Sequence, residues 1–200
     1  MALLPPLAET LYAAASLIAA VIAGRNFDAV LARAGLYGPL RAGAMDLVYS
    51  TLRAYGRGDF LLGRLLQRPL PDATARGLLL AALTRLEARP DEAHTTVDQA
   101  VSAATQFAHG RFKNLVNAVL RNFLRRRAEL LAAADADEVA HWQHPAWWIA
   151  RLRQEVADPR VGIYGPDSLS WLVDREIITF LAGGRAALLQ LAHPFVAYAV

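Results

Sequence analysis

The feature that most constrains this chain is an apolar stripe of helical period between Phe112 and Arg127, in the segment FKNLVNAVLRNFLRRR. Its apolar residues recur at intervals of three and four, at Phe112, Leu115, Val116, Val119, Leu120, Phe123 and Leu124. Such spacing places them on one face of an α-helix and predicts that this face is buried in a core. The polar side chains between them must then lie on the opposite face.

That opposite face carries the residues that we predict to bind RNA. They are Arg111, Lys113, Asn114, Asn117, Arg121 and Arg125. Cationic side chains form charge-assisted hydrogen bonds with phosphate, and amides contact base edges or 2′-hydroxyls. No acidic residue lies between Asp98 and Glu129. The alternative is a solvated face on which Asn117 bonds locally and Arg121 pairs with an acid from a neighbouring helix.

Three consecutive arginines, Arg125, Arg126 and Arg127, end this helix. They fit two interpretations. One is a patch that binds phosphate, and the other is a cluster that complements the negative end of the helix dipole.

The charge distribution favours a nucleic-acid partner for only part of the chain. The 200 residues contain 20 arginines and one lysine; residues 1–154 hold 18 basic and 13 acidic groups, whereas residues 155–200 hold 3 and 5. Only the first part has the net positive sign that suits RNA. The chain has no cysteine, which excludes disulfides, a thiolate zinc site and a cysteine nucleophile.

The amino-terminal region predicts no targeting or membrane segment. A signal peptide would begin with basic residues, but no basic residue precedes Arg25 in this chain. The apolar run at residues 11–23 is shorter than the roughly 20 residues that span a bilayer. We therefore expect a cytoplasmic protein with no membrane association.

Helical periodicity and helix-ending residues continue through the chain to residue 156, without strand-like alternation. We predict two helices that stop at Gly24 and Gly35, followed by helices over 41–55, 60–67, 73–88 and 93–106 and a last helix over 147–156. Asp59 and Asp72 are the predicted N-caps of the helices over 60–67 and 73–88. A turn is predicted at His109-Gly110, after the helix over 93–106. The run Leu78–Leu83 predicts the most buried element. The fold class that follows is an all-α bundle of short helices.

Several stretches resemble the amino-terminal NusB-like RNA-binding domain of the bacterial ribosomal RNA cytosine-C5 methyltransferase family (RsmB, also called Sun or Fmu). They are RAGAMDLVYSTLRAYGRGDFLLGRLLQRPL at 41–70, HTTVDQAV at 94–101, KNLVNAVLR at 113–121 and HPAWWIARLRQE at 144–155. The resemblance, over residues 7–154, implies a NusB-like domain at residues 1–155 whose partner is structured, ribosomal RNA. Proteins with NusB-like folds also bind protein partners, so a helical protein-interaction module is an alternative. In this family the first helix usually carries arginine, whereas residues 1–24 here have no positive charge.

Catalysis in that family belongs to a separate domain, which uses S-adenosylmethionine and a pair of cysteines. This chain has no cysteine and no glycine-rich strand–turn–helix. We therefore expect RNA binding without methyl transfer, no cofactor and no catalytic centre. The histidines lack the spacing of metal ligands. Trp147 and Trp148 are adjacent on a helix and point in different directions, so at least one of them is expected in the core rather than stacked on a base.

The last segment, residues 156–200, differs in character, and residues 157–200 resemble the start of the MpaB-like and latex-clearing-like haem oxygenase family. The matching stretches are DPRVGIYGPDSLSW, the pair Gly183-Gly184 before Arg185, and LLQLAHP. We predict a truncated helical tail and interpret His193 as a structural histidine rather than a haem ligand. Two unrelated resemblances in one chain indicate a gene fusion, a frameshift or an assembly join near Val156, and we favour one of the last two. A fragment of a haem-dependent oxygenase is the alternative function.

Overall fold

Residues 5–156, described by a computed structural model of the chain except for the side chains of residues 152 and 154–156, form ten α-helices and include no β-strand. The helices are α1 (Leu7–Ile22), α2 (Phe27–Arg33), α3 (Gly38–Arg53), α4 (Tyr55–Leu65), α5 (Ala73–Ala88), α6 (Ala93–Ala103), α7 (Lys113–Arg125), α8 (Arg127–Ala136), α9 (Glu138–Trp142) and α10 (Ala146–Val156). Short 3₁₀ turns at Pro90–Glu92 and Ala108–Gly110 precede α6 and α7. The prediction of an all-α fold is confirmed for this part of the chain.

Helix α5 is the centre of the core. The run from Leu78 to Leu83 is fully buried, as its continuous apolar sequence predicts. The helix is covered on several sides because it packs against α1, α3, α4, α6 and α7, with α1 as its most extensive neighbour. The two helices approach closely at Gly77, where a Cβ atom would lie 2.4 Å from the carbonyl oxygen of Ala15.

Helix α7 lies at the edge of this core, against α5 and α6. Its apolar stripe is buried at Val116, Val119, Leu120 and Phe123, and Phe112 is buried just before the first turn. Leu115 and Leu124 flank the stripe and are half-buried against the core. The predicted burial is therefore confirmed, and it fixes the polar side of α7 outward.

Local signals placed some helix boundaries correctly and others wrongly. Asp72 is the N-cap of α5, where its carboxylate accepts a hydrogen bond from the Ala75 N–H at 2.8 Å. Asp59 does not cap a helix, because α4 already begins at Tyr55 and the Asp59 carboxylate forms an ion pair with Arg76 instead. The early start of α4 brings its first turn against α9, where a Cβ on Gly56 would lie 2.9 Å from the Val139 carbonyl oxygen.

Helix α7 is also shorter than its sequence pattern predicts. It ends at Arg125, because Arg126 leaves the helical conformation with φ −107° and ψ 17°, and α8 begins at Arg127. Asp137 then caps α9 by accepting a hydrogen bond from the Ala140 N–H at 2.9 Å.

Within the described part of the chain, no helix is both long enough and apolar enough to cross a membrane. Residues 157–200, with His193 and the oxygenase-like stretches, lie outside the described part. Their interpretation, the division into domains at residue 155 and the join near Val156 stay predictions.

Candidate RNA interface

The exposed side of α7 presents a row of polar residues four positions apart. Lys113, Asn117, Arg121 and Arg125 follow one inclined ridge of the helix, and Asn114 lies beside the first of them. Lys113, Asn114, Arg121 and Arg125 are exposed, and Asn117 is half-buried. At 1.5 Å per residue the row extends about 18 Å. We call Arg111, Lys113, Asn114, Asn117, Arg121 and Arg125 together the α7 face.

Two arginines of the α7 face are held by asparagine amides. Nε of Arg121 donates a hydrogen bond to Oδ1 of Asn117 at 2.9 Å, and Nη2 of Arg125 donates one to Oδ1 of Asn122 at 2.8 Å. A neutral amide orders a guanidinium group without cancelling its charge. Each arginine keeps further N–H groups that suit an anionic ligand.

No acid among the described residues forms an ion pair with the cations of the α7 face. Within residues 5–156, the ion pairs involve none of Arg111, Lys113, Arg121 and Arg125. The alternative interpretation placed an acid against Arg121, and the described residues show Asn117 there instead. The local bond expected for Asn117 is present, and its partner is an arginine.

The remaining arginines of the predicted cluster serve the fold. Arg126 makes a two-pronged ion pair with Glu129, with N···O distances of 2.7 and 3.0 Å. This hydrogen-bonded pairing lowers the pKa of the Glu129 carboxyl and raises the pKa of Arg126. Arg127 donates to the carbonyl oxygens of Leu86 and Glu87 at 3.0 and 3.3 Å, and so caps the end of α5. Arg126 is thus engaged by an acid, and Arg127 by the end of α5, which is not the helix end considered in the sequence analysis.

Arg111 occupies a different environment at the start of α7. Its Cζ atom lies 4.7 Å from the ring centroid of Phe112, and its side chain is exposed. The Phe112 ring stacks in turn on Phe107, which stacks on Tyr12 of α1. Arg111 is thus the outermost member of a column anchored in the core.

One cation near this surface escaped the sequence analysis. Arg64 of α4 is exposed, lies over the Phe60 ring at 5.0 Å, and contributes to lowering the pKa of Glu129 on α8. It therefore lies near the carboxyl-terminal end of α7. No pattern in the sequence joins residues so far apart, and only the packing of α4 against α7 and α8 brings them together.

The other candidate groups contribute less. Trp148 is half-buried with its ring 4.6 Å from that of His144, whereas Trp147 is 54% exposed, so the two adjacent rings do point in different directions. Among the described residues no three histidine or acidic side chains come together in a way that would hold a metal ion.

Comparison with known proteins places this arrangement in a family context. Three relatives, each named ribosomal RNA small subunit methyltransferase B, match about half of this chain. The protein of Pseudomonas putida KT2440 is 38% identical over 104 residues, which are 51% of this chain and 24% of the relative. Those of Pasteurella multocida and Escherichia coli O6:H1 are 34% and 31% identical over 113 and 111 residues, 54% of this chain and 24% and 26% of the relatives.

The matched part thus covers only about a quarter of the length of these relatives. A model of the NusB family matches residues 9–125, which run from the first turn of α1 to the last residue of α7 and make up more than half of the chain. With its all-α fold and with α7 inside the matched region, the chain belongs to the NusB family.

Proposed function

We propose that this protein is an RNA-binding module that holds structured ribosomal RNA on the α7 face, in the cytoplasm. The observation that carries the proposal is the row of exposed cations on α7 whose charges no acid among the described residues neutralises. Asparagine amides order two of the guanidinium groups in advance, which reduces the side-chain entropy lost on binding.

The choice of ribosomal RNA rests on the relatives, whose names place their substrate in the small ribosomal subunit. The proposal is restricted to binding. Methyl transfer appears in the names of the relatives, and the matched segment covers only about a quarter of their length. We therefore do not extend this activity to the present chain.

The mechanism is electrostatic capture followed by local fitting. Lys113 and Arg121, about two helical turns apart, contact phosphates on one side of the RNA backbone, while Asn114 and Asn117 contact sugars or base edges. Each phosphate contact releases counterions, so binding must weaken as the salt concentration rises.

The test is a double variant, Lys113→Ala with Arg121→Ala, measured for binding to a small-subunit ribosomal RNA hairpin at several salt concentrations. Each lost phosphate contact reduces the slope of log K against log salt by about 0.7 to 0.9. We therefore expect weaker binding and a slope that is shallower by about 1.5. Folding should be unaffected, because alanine favours an exposed helix position.

A charge-matched control separates a specific surface from general attraction. Arg89→Ala with Arg153→Ala also removes two exposed positive charges, but each of these arginines is paired with a glutamate, Glu92 or Glu138. We expect this variant to bind nearly as well as the parent. An equal loss in both double variants would show that net charge, and not the α7 face, holds the RNA.

A further inference from the structure

The aromatic column beneath Arg111 gives the α7 face a second kind of contact. The rings of Tyr12 and Phe107 are 6.0 Å apart and nearly parallel, at 9°. The rings of Phe107 and Phe112 are also 6.0 Å apart, at 26°. Phe112 is only 6% exposed, Phe107 and Tyr12 are half-buried, and the Arg111 guanidinium lies over the Phe112 ring.

A strained turn holds this column together. Ala108 and His109 have φ values of 47° and 53°, in the left-handed region that side chains other than glycine seldom adopt, and Gly110 follows at 72°. Hydrogen bonds from the Gly110 N–H to the Phe107 carbonyl and from the Arg111 N–H to the Ala108 carbonyl close the turn, at 3.0 and 3.1 Å. Such strain is kept where the surrounding structure requires it. Here the turn reverses the chain between Phe107 and Phe112 so that their rings stack.

The position of Arg111 suits a flat ligand. Its guanidinium carbon lies over the Phe112 ring, and the Arg111 side chain is exposed to solvent. A guanidinium group stacks on nucleobases as well as on aromatic rings, and its N–H edge binds phosphate. A base within a duplex is already stacked between its neighbours, so an unpaired base is the partner that offers a free face.

We propose that the Arg111–Phe112 pair is a stacking platform for the base of an unpaired nucleotide, so that the substrate class of the α7 face is RNA with a bulge or loop rather than a continuous duplex. This inference rests on the function proposed above. Lys113 and Arg121 would hold the neighbouring phosphates, and Arg111 would add a preference for the unpaired nucleotide.

The experiment compares two RNA hairpins that differ by one bulged nucleotide, using the full chain. Stacking of a base on a protein platform contributes roughly five- to a hundredfold in affinity. We expect the parent to bind the bulged hairpin about tenfold more tightly than the fully paired one. Arg111→Lys keeps the charge and loses the planar group, so it should reduce that preference to less than about twofold. The readout is the ratio of the two affinities, so a loss of affinity that both hairpins share does not count toward it.

Arg125→Lys is the matched control. Arg125 is also an exposed arginine on α7, but an asparagine amide holds it in place of an aromatic ring. The control should keep the tenfold preference. A preference that survives Arg111→Lys, or that Arg125→Lys removes equally, would overturn the platform. A parent that binds both hairpins equally would overturn this inference and leave the proposed function intact, and a parent that binds neither would refute both.

Discussion

The close crossing of α1 and α5 makes Gly77 a sensitive position in the fold. A Cβ atom on Gly77 would lie 2.4 Å from the Ala15 carbonyl oxygen, 3.2 Å from its carbonyl carbon and 3.3 Å from its Cα. All three atoms belong to the backbone of α1, so no side-chain rotation can relieve the contact. An ordinary carbon–oxygen contact is about 3.3 Å or longer, and α1 would therefore have to move by close to 1 Å.

Two opposing terms set the size of the effect of Gly77→Ala. Forcing an extra methyl group into a packed site costs about 1–3 kcal/mol, and the immovable backbone favours the upper part of that range. Replacing glycine by alanine inside a helix returns about 1 kcal/mol. We therefore expect a net loss of about 1–2 kcal/mol in the free energy of unfolding. For a domain of this size, that lowers Tm by about 2–8 °C.

Gly63→Ala is the matched control, because Gly63 is also inside a helix but a Cβ there would have no neighbour within 4 Å. Only the propensity term applies, so this variant should gain about 0.5–1 kcal/mol. Both variants are measured by urea unfolding followed by circular dichroism, with unchanged m values as the check on two-state behaviour. A Gly77→Ala protein as stable as Gly63→Ala would refute the close approach of α1 and α5.

Two further predictions concern polar contacts. Arg127→Ala leaves the last carbonyls of α5 without their cap and should cost about 1–2 kcal/mol, whereas Arg125→Ala should change stability by less than about 0.5 kcal/mol, both measured by urea unfolding. The hydrogen bond from Arg153 lowers the pKa of the Glu138 carboxyl. This pair therefore adds stability above the ordinary glutamate pKa of about 4.3, and the contribution disappears as the pH falls through the lowered value. The difference in Tm between the parent and Glu138→Gln should narrow from pH 7 to pH 3, and a constant difference would exclude the linkage.

Features set by local chemistry could be predicted from the sequence. Gly24 and Gly35 end α1 and α2 with φ values of 82° and 62°, because glycine adopts the left-handed conformation that helix ends favour. Asp72 caps α5 through its own near neighbours. The stripe of α7 was equally clear, since a 3.6-residue period over three turns specifies the buried side without knowledge of its partner.

Features set by distant contacts could not be predicted in this way. Asp59 has the residue type that favours an N-cap and the position predicted for one, but its carboxylate forms an ion pair with Arg76 on another helix. The first turn of α4 places Gly56 against α9, more than eighty residues later in the chain. At the candidate interface, the sequence indicated which residues are cationic. The structure was needed to show which of them keep an uncompensated charge.

The three consecutive arginines show why that distinction matters. Side chains next to each other on a helix point about 100° apart, and the break at Arg126 turns the last one further. Arg125 therefore stays on the α7 face, Arg126 pairs with Glu129, and Arg127 reaches the end of α5. Of the six basic residues from 111 to 127, four lie on the α7 face and form no ion pair with the described residues, and one of the other two, Arg126, is paired with an exposed carboxylate.

This arrangement predicts a gain of binding from the loss of one acid. Glu129→Gln should release the Arg126 guanidinium at the end of the α7 face, and so add about one phosphate contact and steepen the salt slope by about 0.7 to 0.9. Glu138→Gln changes the net charge equally but frees Arg153 on α10, so it should have little effect on the affinity for the ribosomal RNA hairpin. If both variants gained affinity to the same extent, the RNA would be responding to total charge. A gain confined to Glu129→Gln would require a binding surface that continues from Arg125 to Arg126, because that is the part of the molecule that the substitution changes.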